Sequence, residues 1–348
     1  MEELFILQTT PKDMKNIILH GLRSTLLTLG SATKAELSQK LGISFPTISK
    51  FLTQMEASGE LLLVGLDDSS GGRRAQRYSY NPEFMLGLAI VFEKSDLSYT
   101  IFNCAGEVKE HGTTSSAFIN DVPSLTEHIK QLIKTHPKIK SIAIGVPGAV
   151  NNGRIIHMPD YIHFQNFDLK RHLEEQLALP VVVENDMNAA VLGYYKTVGQ
   201  QAHSSLVYLY FGQFGPGAGI MINGDVVRGS TFFSGEVSYV PQYDDRNFQQ
   251  AMHKKADNDR LDAISRLIAS FTAIINPHAI IFNNAEVNSS VLEQIARQSA
   301  VYIPQEHLPL LTTSDLKQDY MNGLLSLGLD LMITETSSST GKNEYRNR

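Results

Sequence analysis

Cysteine and long hydrophobic runs are almost absent from this sequence, and each absence excludes a class of protein. The single cysteine, Cys104, excludes an intrachain disulfide and a zinc site built from cysteines. No apolar run approaches the ~18 residues that a membrane span needs, and the N-terminus lacks the basic start of a secretory signal. We therefore expect a cytoplasmic protein with no membrane partner.

Charge is also sparse, and it is unevenly distributed. Charged residues make up 19% of the chain, and the net charge of −6 argues against nucleic-acid binding by the whole molecule. Residues 1–80 carry nine Lys or Arg and eight Asp or Glu, whereas residues 81–348 carry 21 and 28. The first part is therefore close to neutral, with clustered positive charges. The length of 348 residues predicts two or three domains.

A helix-turn-helix is predicted near the N-terminus. Thr33 and Glu36 have the spacing of a capping box that begins one helix, and Gly42 permits the left-handed turn that ends it. Ser44 is placed to cap a second helix over residues 45–57, which is the right size to enter a major groove. The residues predicted to contact DNA from this second helix are Ser44, Pro46, Thr47, Ser49 and Lys50.

Two strands around a basic tip are predicted to follow, over residues 61–64 and 77–80. The glycines of the tip, GGRR (71–74), let the backbone approach DNA closely. Arg73 and Arg74 suit an A·T-rich minor groove, where the potential is most negative. The unit is then a winged helix-turn-helix; the alternative is a three-helix bundle followed by a solvated linker.

From Tyr78 onward the pattern changes to strands that alternate with helices, which indicates an α/β core. Its most informative stretch is Glu184-Asn185-Asp186, at the end of a predicted buried strand and just before a helix. Carboxylate and amide groups at such a place can hydrogen-bond a polyhydroxylated ligand, and an aspartate can act as a general base. The alternative is a turn whose Asn and Asp only cap the following helix.

Five motifs occur in order along the chain: GVPGAV (145–150), ENDMNAA (184–190), GPGAGIMINGDVVRG (215–229), SGEV (234–237) and INPHAII (275–281). This order resembles the ROK family of repressors and sugar kinases. The resemblance implies an actin/hexokinase-like α/β fold of two lobes, with a sugar in the cleft and an N-terminal winged helix-turn-helix in the repressors. The resemblance assigns the sugar contacts to Gly148, Asn185, Asp186 and Glu236.

The departures from the family fall mainly on the nucleotide side. ROK kinases begin this domain with an Asp-x-Gly-Gly-Thr hairpin that positions the metal and admits the ATP phosphates. Here Ala89 stands at the aspartate, and Val91 and Phe92 stand at the glycines. Gln213-Phe214-Gly215 replaces the second phosphate loop, and Asn283-Asn284 replaces the adenosine contact. Because phosphoryl transfer depends on this cradle, the resemblance implies no catalytic residue, no cofactor and no enzyme activity.

The zinc site of the family is changed as well. Tyr239 stands where ROK proteins have a histidine that contacts both the sugar and the zinc ion. The Cys-rich segment that should follow is missing, and no dense cluster of histidines takes its place. We therefore predict no metal site.

These observations together predict a sugar-responsive transcriptional repressor. It would bind double-stranded operator DNA and a sugar or sugar phosphate as a homodimer or homotetramer. The alternatives are an active sugar kinase and a regulator that responds to a protein partner. The predicted domains are a winged helix-turn-helix (1–80), a first lobe (81–200, completed by a helix at about 318–334), a second lobe (201–317) and a disordered tail (335–348).

Overall fold

The structure is a computed structural model that describes residues 10–66, 74–93, 96–115, 121–158, 161–199, 204–212, 215–243, 245–253 and 257–334. Arg73, Gln213, Phe214 and the tail at 335–348 lie outside the described residues. The helices are α1 (Pro11–Leu29), α2 (Lys34–Leu41), α3 (Phe45–Ala57), α4 (Val122–Thr135), α5 (Leu169–Leu177), α6 (Asp186–Thr197), α7 (Phe248–Met252), α8 (Asp257–Ile275), α9 (Ser289–Ser299) and α10 (Leu316–Ile333).

The strands form sheets in three separate regions of the chain. They are β1 (Ala32–Thr33), β2 (Leu61–Leu66), β3 (Gln76–Tyr80), β4 (Leu86–Phe92), β5 (Asp96–Asn103), β6 (Val108–Ser115), β7 (Ile139–Val146), β8 (Ala149–Asn151), β9 (Arg154–His157), β10 (Phe167–Asp168), β11 (Val181–Asn185), β12 (Leu206–Tyr210), β13 (Gly217–Ile222), β14 (Asp225–Val226), β15 (Ala279–Asn283) and β16 (Leu310–Ser314).

The N-terminal region folds as a winged helix. Helices α1 to α3 pack on a small sheet of order β1-β3-β2. The predicted capping box forms: the Glu36 amide donates to Thr33 Oγ1 over 3.2 Å, and the Thr33 amide donates to Glu36 Oε2 over 2.7 Å. One expectation is wrong, because Ser44 occupies the N-cap position of α3 without capping its backbone. Its hydroxyl instead pairs with that of Thr47 at 2.8 Å.

The rest of the described chain builds two α/β lobes, each around a five-stranded sheet. The first sheet has the order β11-β7-β4-β5-β6, and the second has the order β14-β13-β12-β15-β16. In each sheet an antiparallel pair, β4–β5 or β12–β13, is followed by parallel strands. The alternation of strands and helices along the chain indicated these lobes, although β6, β16 and α9 carried no clear signal. The boundaries at 80, 200 and 317 stay predictions.

Helices α6 and α10 cross each other with their backbones in contact. A Cβ atom added to Gly193 would lie 1.8 Å from the carbonyl oxygen of Asp319. On the other helix, a Cβ atom added to Gly323 would lie 1.9 Å from the carbonyl oxygen of Ala189. Both positions therefore require glycine, and the crossing fixes α10 directly against the helix that begins at Asp186.

Arg23 forms a buried ion pair within the winged helix and also a hydrogen bond to the end of α10. Arg23 Nε lies 2.6 Å from Glu60 Oε1, and both side chains are almost fully buried. The hydroxyl of Tyr80 donates to the same Glu60 oxygen over 3.0 Å, and Arg23 Nη1 donates to the carbonyl of Ile333, the last residue of α10, over 3.3 Å. An apolar cluster shared by α1, α3, β3, β4 and α10 surrounds this pair. The winged helix therefore packs on the first lobe as one continuous core.

Among the helices that the structure describes, none combines the length and the apolar character needed to cross a membrane.

We predict that Gly193→Ala destabilises the protein although alanine favours helix formation. The added methyl group must displace the α10 backbone, which should lower the free energy of unfolding by about 1–3 kcal/mol against a helix-propensity gain of up to ~1 kcal/mol. Urea unfolding measures the effect. Gly21→Ala in α1 is the matched control, because its nearest neighbour is a flexible Leu41 methyl at 3.2 Å. Equal stabilities of the two variants would contradict the tight crossing.

Candidate functional site

A cleft of about 460 Å³ lies between the two lobes, and all four predicted sugar contacts line it. Gly148 follows β7, Asn185 ends β11 and Asp186 begins α6, so these three come from the carboxyl edge of the first sheet. Glu236 reaches the cleft from the second lobe, in the loop just before the short 3-10 helix Val237–Tyr239. The fold therefore brings together residues that are up to 88 positions apart in the sequence.

Asn185 caps α6 as the turn interpretation predicts, and the ligand-binding interpretation of Asn185 and Asp186 stays a prediction. Asn185 Oδ1 accepts from the Asn188 amide over 3.0 Å and caps α6, as the turn alternative predicted. Its Nδ2 donates to the Gly148 carbonyl over 3.0 Å and to Asp186 Oδ1 over 2.9 Å. Asp186 Oδ1 also accepts from the Met187 amide over 2.8 Å. The structure gives no hydrogen bond to Asp186 Oδ2 among the described residues, which leaves this oxygen for a ligand.

The two cleft carboxyl groups hold their protons more tightly than usual. Burial, with a smaller contribution from the nearby charge of Glu236, raises the pKa of Asp186 to about 7 against the hydrogen bonds that lower it. Burial also raises the pKa of Glu236, although the charge of His157 opposes this. Near neutral pH Asp186 is therefore a mixture of carboxyl and carboxylate and can either donate to or accept from a sugar hydroxyl.

Glu184 forms a supporting pair with Arg228, a residue that the sequence analysis did not single out. Glu184 Oε1 accepts from the Asn185 amide and from Asn188 Nδ2, both over 3.0 Å. Its Oε2 accepts from Arg228 Nε over 3.1 Å, and the guanidinium also lines the cleft. This pair holds the end of β11, where Asn185 lies. In the sequence, the arginine of the GDVVRG motif was the signal that could have predicted a partner for Glu184.

The strand end that would face a nucleotide is packed as core. Ala89, Val91 and Phe92 are all buried, and Phe92 makes edge-to-face contacts with Tyr161 and Phe164 at centroid distances of 5.1 and 5.2 Å. Phe92 therefore points into the core of the first lobe. No carboxylate occupies position 89 to hold a metal ion.

The segment that replaces the family's Cys-rich zinc region is held by stacked side chains. The Arg266 guanidinium lies 4.8 Å from the ring of Tyr243 and 4.6 Å from that of Tyr302. Arg266 Nε donates to Asp262 Oδ2 over 2.9 Å. These contacts fix the segment after Tyr239 to α8 and α9. Within the described ranges no group of three His, Cys, Asp or Glu side chains could hold a metal ion.

The predicted DNA-contacting residues lie on the outer side of α3 and at the wing. Ile48, Leu52 and Met55 form the buried stripe, so the opposite side faces outward. The hydroxyl of Ser49 accepts from Lys34 Nζ over 3.1 Å, which adds a positive charge that the sequence analysis missed. The exposed members of the predicted set are Ser44, Pro46, Lys50 and Arg74, with Thr47 and Ser49 partly buried.

The architecture defines the class of this protein: it is a winged helix followed by two α/β lobes with a cleft between them. Comparison with known families gives one match here: residues 94–247 match the ROK family. The predicted fold class and the resemblance stated from the motifs are both confirmed.

Two curated relatives come from the two functional branches of the family. The chain is 27% identical over 226 residues to a xylose repressor of Caldicellulosiruptor bescii, which covers 62% of this chain and 56% of that protein. It is 36% identical over 143 residues to a β-glucoside kinase of Listeria monocytogenes, and this alignment covers 39% of the present chain and 48% of the kinase. The chain thus spans less than two thirds of the length of these relatives.

A solved structure extends the likeness to nearly the whole chain. It is a ROK family transcriptional regulator described as a homologue of the E. coli MLC protein. The TM-score is 0.68 at 19% identity, and the alignment covers 91% of this chain and 99% of the other. This likeness shows that the two chains share a fold.

We predict that Asp186→Asn stabilises the protein at pH 8 but not at pH 4. The native carboxyl group keeps its proton up to about pH 7, whereas the unfolded chain loses it near pH ~4. The stability contributed by the raised pKa is therefore present at low pH and is lost as the pH rises through 7. Asparagine cannot ionise, so its melting temperature should exceed that of the wild type by several °C only at pH 8, because a pKa that falls from about 7 to ~4 on unfolding corresponds to a few kcal/mol. Asp225→Asn, on an exposed strand end, is the control. A difference that does not change with pH would contradict the assignment.

Proposed function

We propose that this protein is a sugar-responsive DNA-binding transcriptional regulator of the repressor type and has no phosphotransferase activity. The observation that carries this proposal is the direct packing of a winged helix onto a helix, α10, that also contacts the helix bearing Asp186. The xylose repressors among its relatives support the same assignment. They also make xylose a first candidate effector.

The DNA-binding surface in this proposal is the outer face of α3 together with the wing. Ser44, Pro46, Thr47 and Ser49 would face base edges in the major groove, and Lys50 would contact a phosphate. Arg73 and Arg74 would enter the adjacent minor groove. A palindromic operator would be bound by a homodimer or homotetramer, since two half-sites require two copies of α3.

The effector in this proposal binds at the polar base of the cleft, against Gly148, Asn185, Asp186 and Glu236. Glu236 belongs to the second lobe and the other three to the first, so a bound sugar links the two lobes. The ligand shifts the balance between lobe closures only if it binds one closure more tightly than the other. A ligand that hydrogen-bonds across the cleft meets this requirement.

The route from the cleft to DNA in this proposal follows two rigid helices. A change in lobe closure moves α6 at Asp186, and α6 contacts α10 backbone to backbone at Gly193 and Gly323. The last carbonyl of α10, at Ile333, accepts from Arg23 of the winged helix. Because the Arg23 guanidinium is buried, separating it from the Ile333 carbonyl would remove a hydrogen bond from a buried charged group. The winged helix should therefore follow α10 as a rigid body.

We predict that Lys50→Ala weakens operator binding and makes it less salt-dependent. Removing one phosphate contact should lower the slope of log K against log salt by about 1. Fluorescence anisotropy across a salt series, on an operator selected from random DNA, measures this slope. Lys130→Ala in the first lobe is the matched control and should bind as the wild type does. An unaltered slope for Lys50→Ala would remove α3 from the DNA surface.

We predict that Asp186→Ala abolishes the response to sugar while operator affinity without sugar stays the same. The variant loses the free carboxyl oxygen at the base of the cleft but keeps the winged helix intact. Operator binding with and without a panel of aldoses and their phosphates measures the response, with Asp225→Ala as control.

A coupled assay with ATP and the same panel should give no turnover. Turnover by the wild type would favour the kinase alternative, and an unchanged response of Asp186→Ala would remove the proposed effector site.

A further inference from the structure

The cleft has an apolar rim above its polar base. Three of the large apolar side chains that remain exposed line it: Ile156 at 37%, Phe233 at 54% and Tyr239 at 63% exposure. Ile156 belongs to β9 in the first lobe, whereas Phe233 and Tyr239 flank Glu236 in the second lobe. The rim therefore faces the mouth of the cleft from both sides. Exposed apolar groups clustered at a cavity mark a place where a ligand binds.

The two aromatic rings are held as a pair by a strained loop. The rings of Phe233 and Tyr239 lie 5.3 Å apart between centroids and are tilted by 49°. The preceding residue, Phe232, has a φ of +59°, a left-handed conformation that is unfavourable for an aromatic residue. The Ser234 amide donates to the Arg228 carbonyl over 3.4 Å and closes this loop. Such strain is kept mainly where it positions functional groups.

The space next to the aromatic pair is mainly apolar. Phe233 and Tyr239 also border a groove against α8, whose other lining residues include Val240, Leu267, Phe271 and Ile274. A group that extends past the rim from the cleft therefore meets mostly carbon surface. The charged residue in this lining is Glu236, which would repel a second phosphate or carboxylate.

We infer that the effector is a glycoside rather than a free monosaccharide, an inference that rests on the proposed effector site. Its sugar unit binds the polar base at Asn185, Asp186 and Glu236. Its second unit, a further sugar ring or an aryl group, stacks on Phe233 and Tyr239. Both kinds of second unit present a flat, C–H-rich or aromatic face, which an aromatic pair binds by burying apolar area and by ring stacking. A lone monosaccharide at the base would leave this rim in water.

Isothermal titration calorimetry on the full chain tests the inference with matched ligands. The free sugars are D-glucose and D-xylose, and their partners are cellobiose, xylobiose and the phenyl β-glycosides of both. We expect at least one of these glycosides to bind about tenfold more tightly than its free sugar. A gain limited to phenyl glycosides assigns the rim to an aryl group, and a gain limited to disaccharides assigns it to a second sugar ring.

Variants at the rim separate stacking from other effects. The double variant Phe233→Ala, Tyr239→Ala should bring the affinity ratio of glycoside to free sugar close to one, whereas Tyr239→Phe should retain the preference because the ring stays. Val301→Ala, at a residue 70% exposed outside the cleft, is the control. Circular dichroism checks that each variant folds. If Tyr239→Phe and the double variant lose the preference equally, stacking is overturned.

Two further outcomes would overturn the inference and are distinguishable from each other. If free sugars bind and no glycoside binds more tightly, the rim subsite fails while the proposed effector site stands. If no carbohydrate in either set binds, the proposed effector itself fails.

Sedimentation velocity completes the test. If the double variant keeps the glycoside preference but its oligomer dissociates, the rim is an interface between copies of this chain and the inference is overturned.

Discussion

The crossing of α6 and α10 is the constraint on which the rest of this structure depends. Helices normally approach through side chains at 8–10 Å between axes, but here glycines bring backbone against carbonyl oxygen on both sides. A contact of this kind leaves no soft layer that could absorb a displacement. The first lobe, the start of α6 at the cleft and the end of α10 at the winged helix are therefore mechanically one body.

The buried charges of the molecule fall into two groups with different consequences. The Arg23–Glu60 and Arg228–Glu184 pairs are closed by good geometry and by further hydrogen bonds, so each fixes the place of a strand or helix end. Asp186 and Glu236 have no cationic partner of this kind, and burial raises the pKa of both. Two carboxyl groups with a raised pKa therefore lie where the two lobes face each other. That is the arrangement expected of a receptor for a hydroxyl-rich ligand.

The nucleotide side and the sugar side of the cleft have diverged for physical reasons that can be read from packing. Replacing a metal-binding carboxylate and phosphate-binding glycines by Ala89, Val91 and Phe92 converted a ligand-facing hairpin into core, with Phe92 buried against Tyr161 and Phe164. On the sugar side the polar base was kept, and Tyr239 joined Phe233 at the rim. In the proposed function these differences in packing correspond to loss of phosphate handling and to extension of carbohydrate contact.

The sequence alone was sufficient for the features that depend on local pattern. Capping spacing at Thr33 and Glu36, β-branched runs such as 181–183 and the ordered glycine motifs predicted the winged helix, the α/β alternation and the residues of the polar base. Only the tertiary structure decided which distant groups meet: Arg23 with Ile333, Glu184 with Arg228, and Ile156 with the rim across the cleft. Such pairs are joined by packing between elements far apart in the chain, and no local periodicity encodes that distance. The direction of Phe92, into the core beside Tyr161 and Phe164, was decided in the same way, since side-chain direction at a strand end follows from the neighbouring layer.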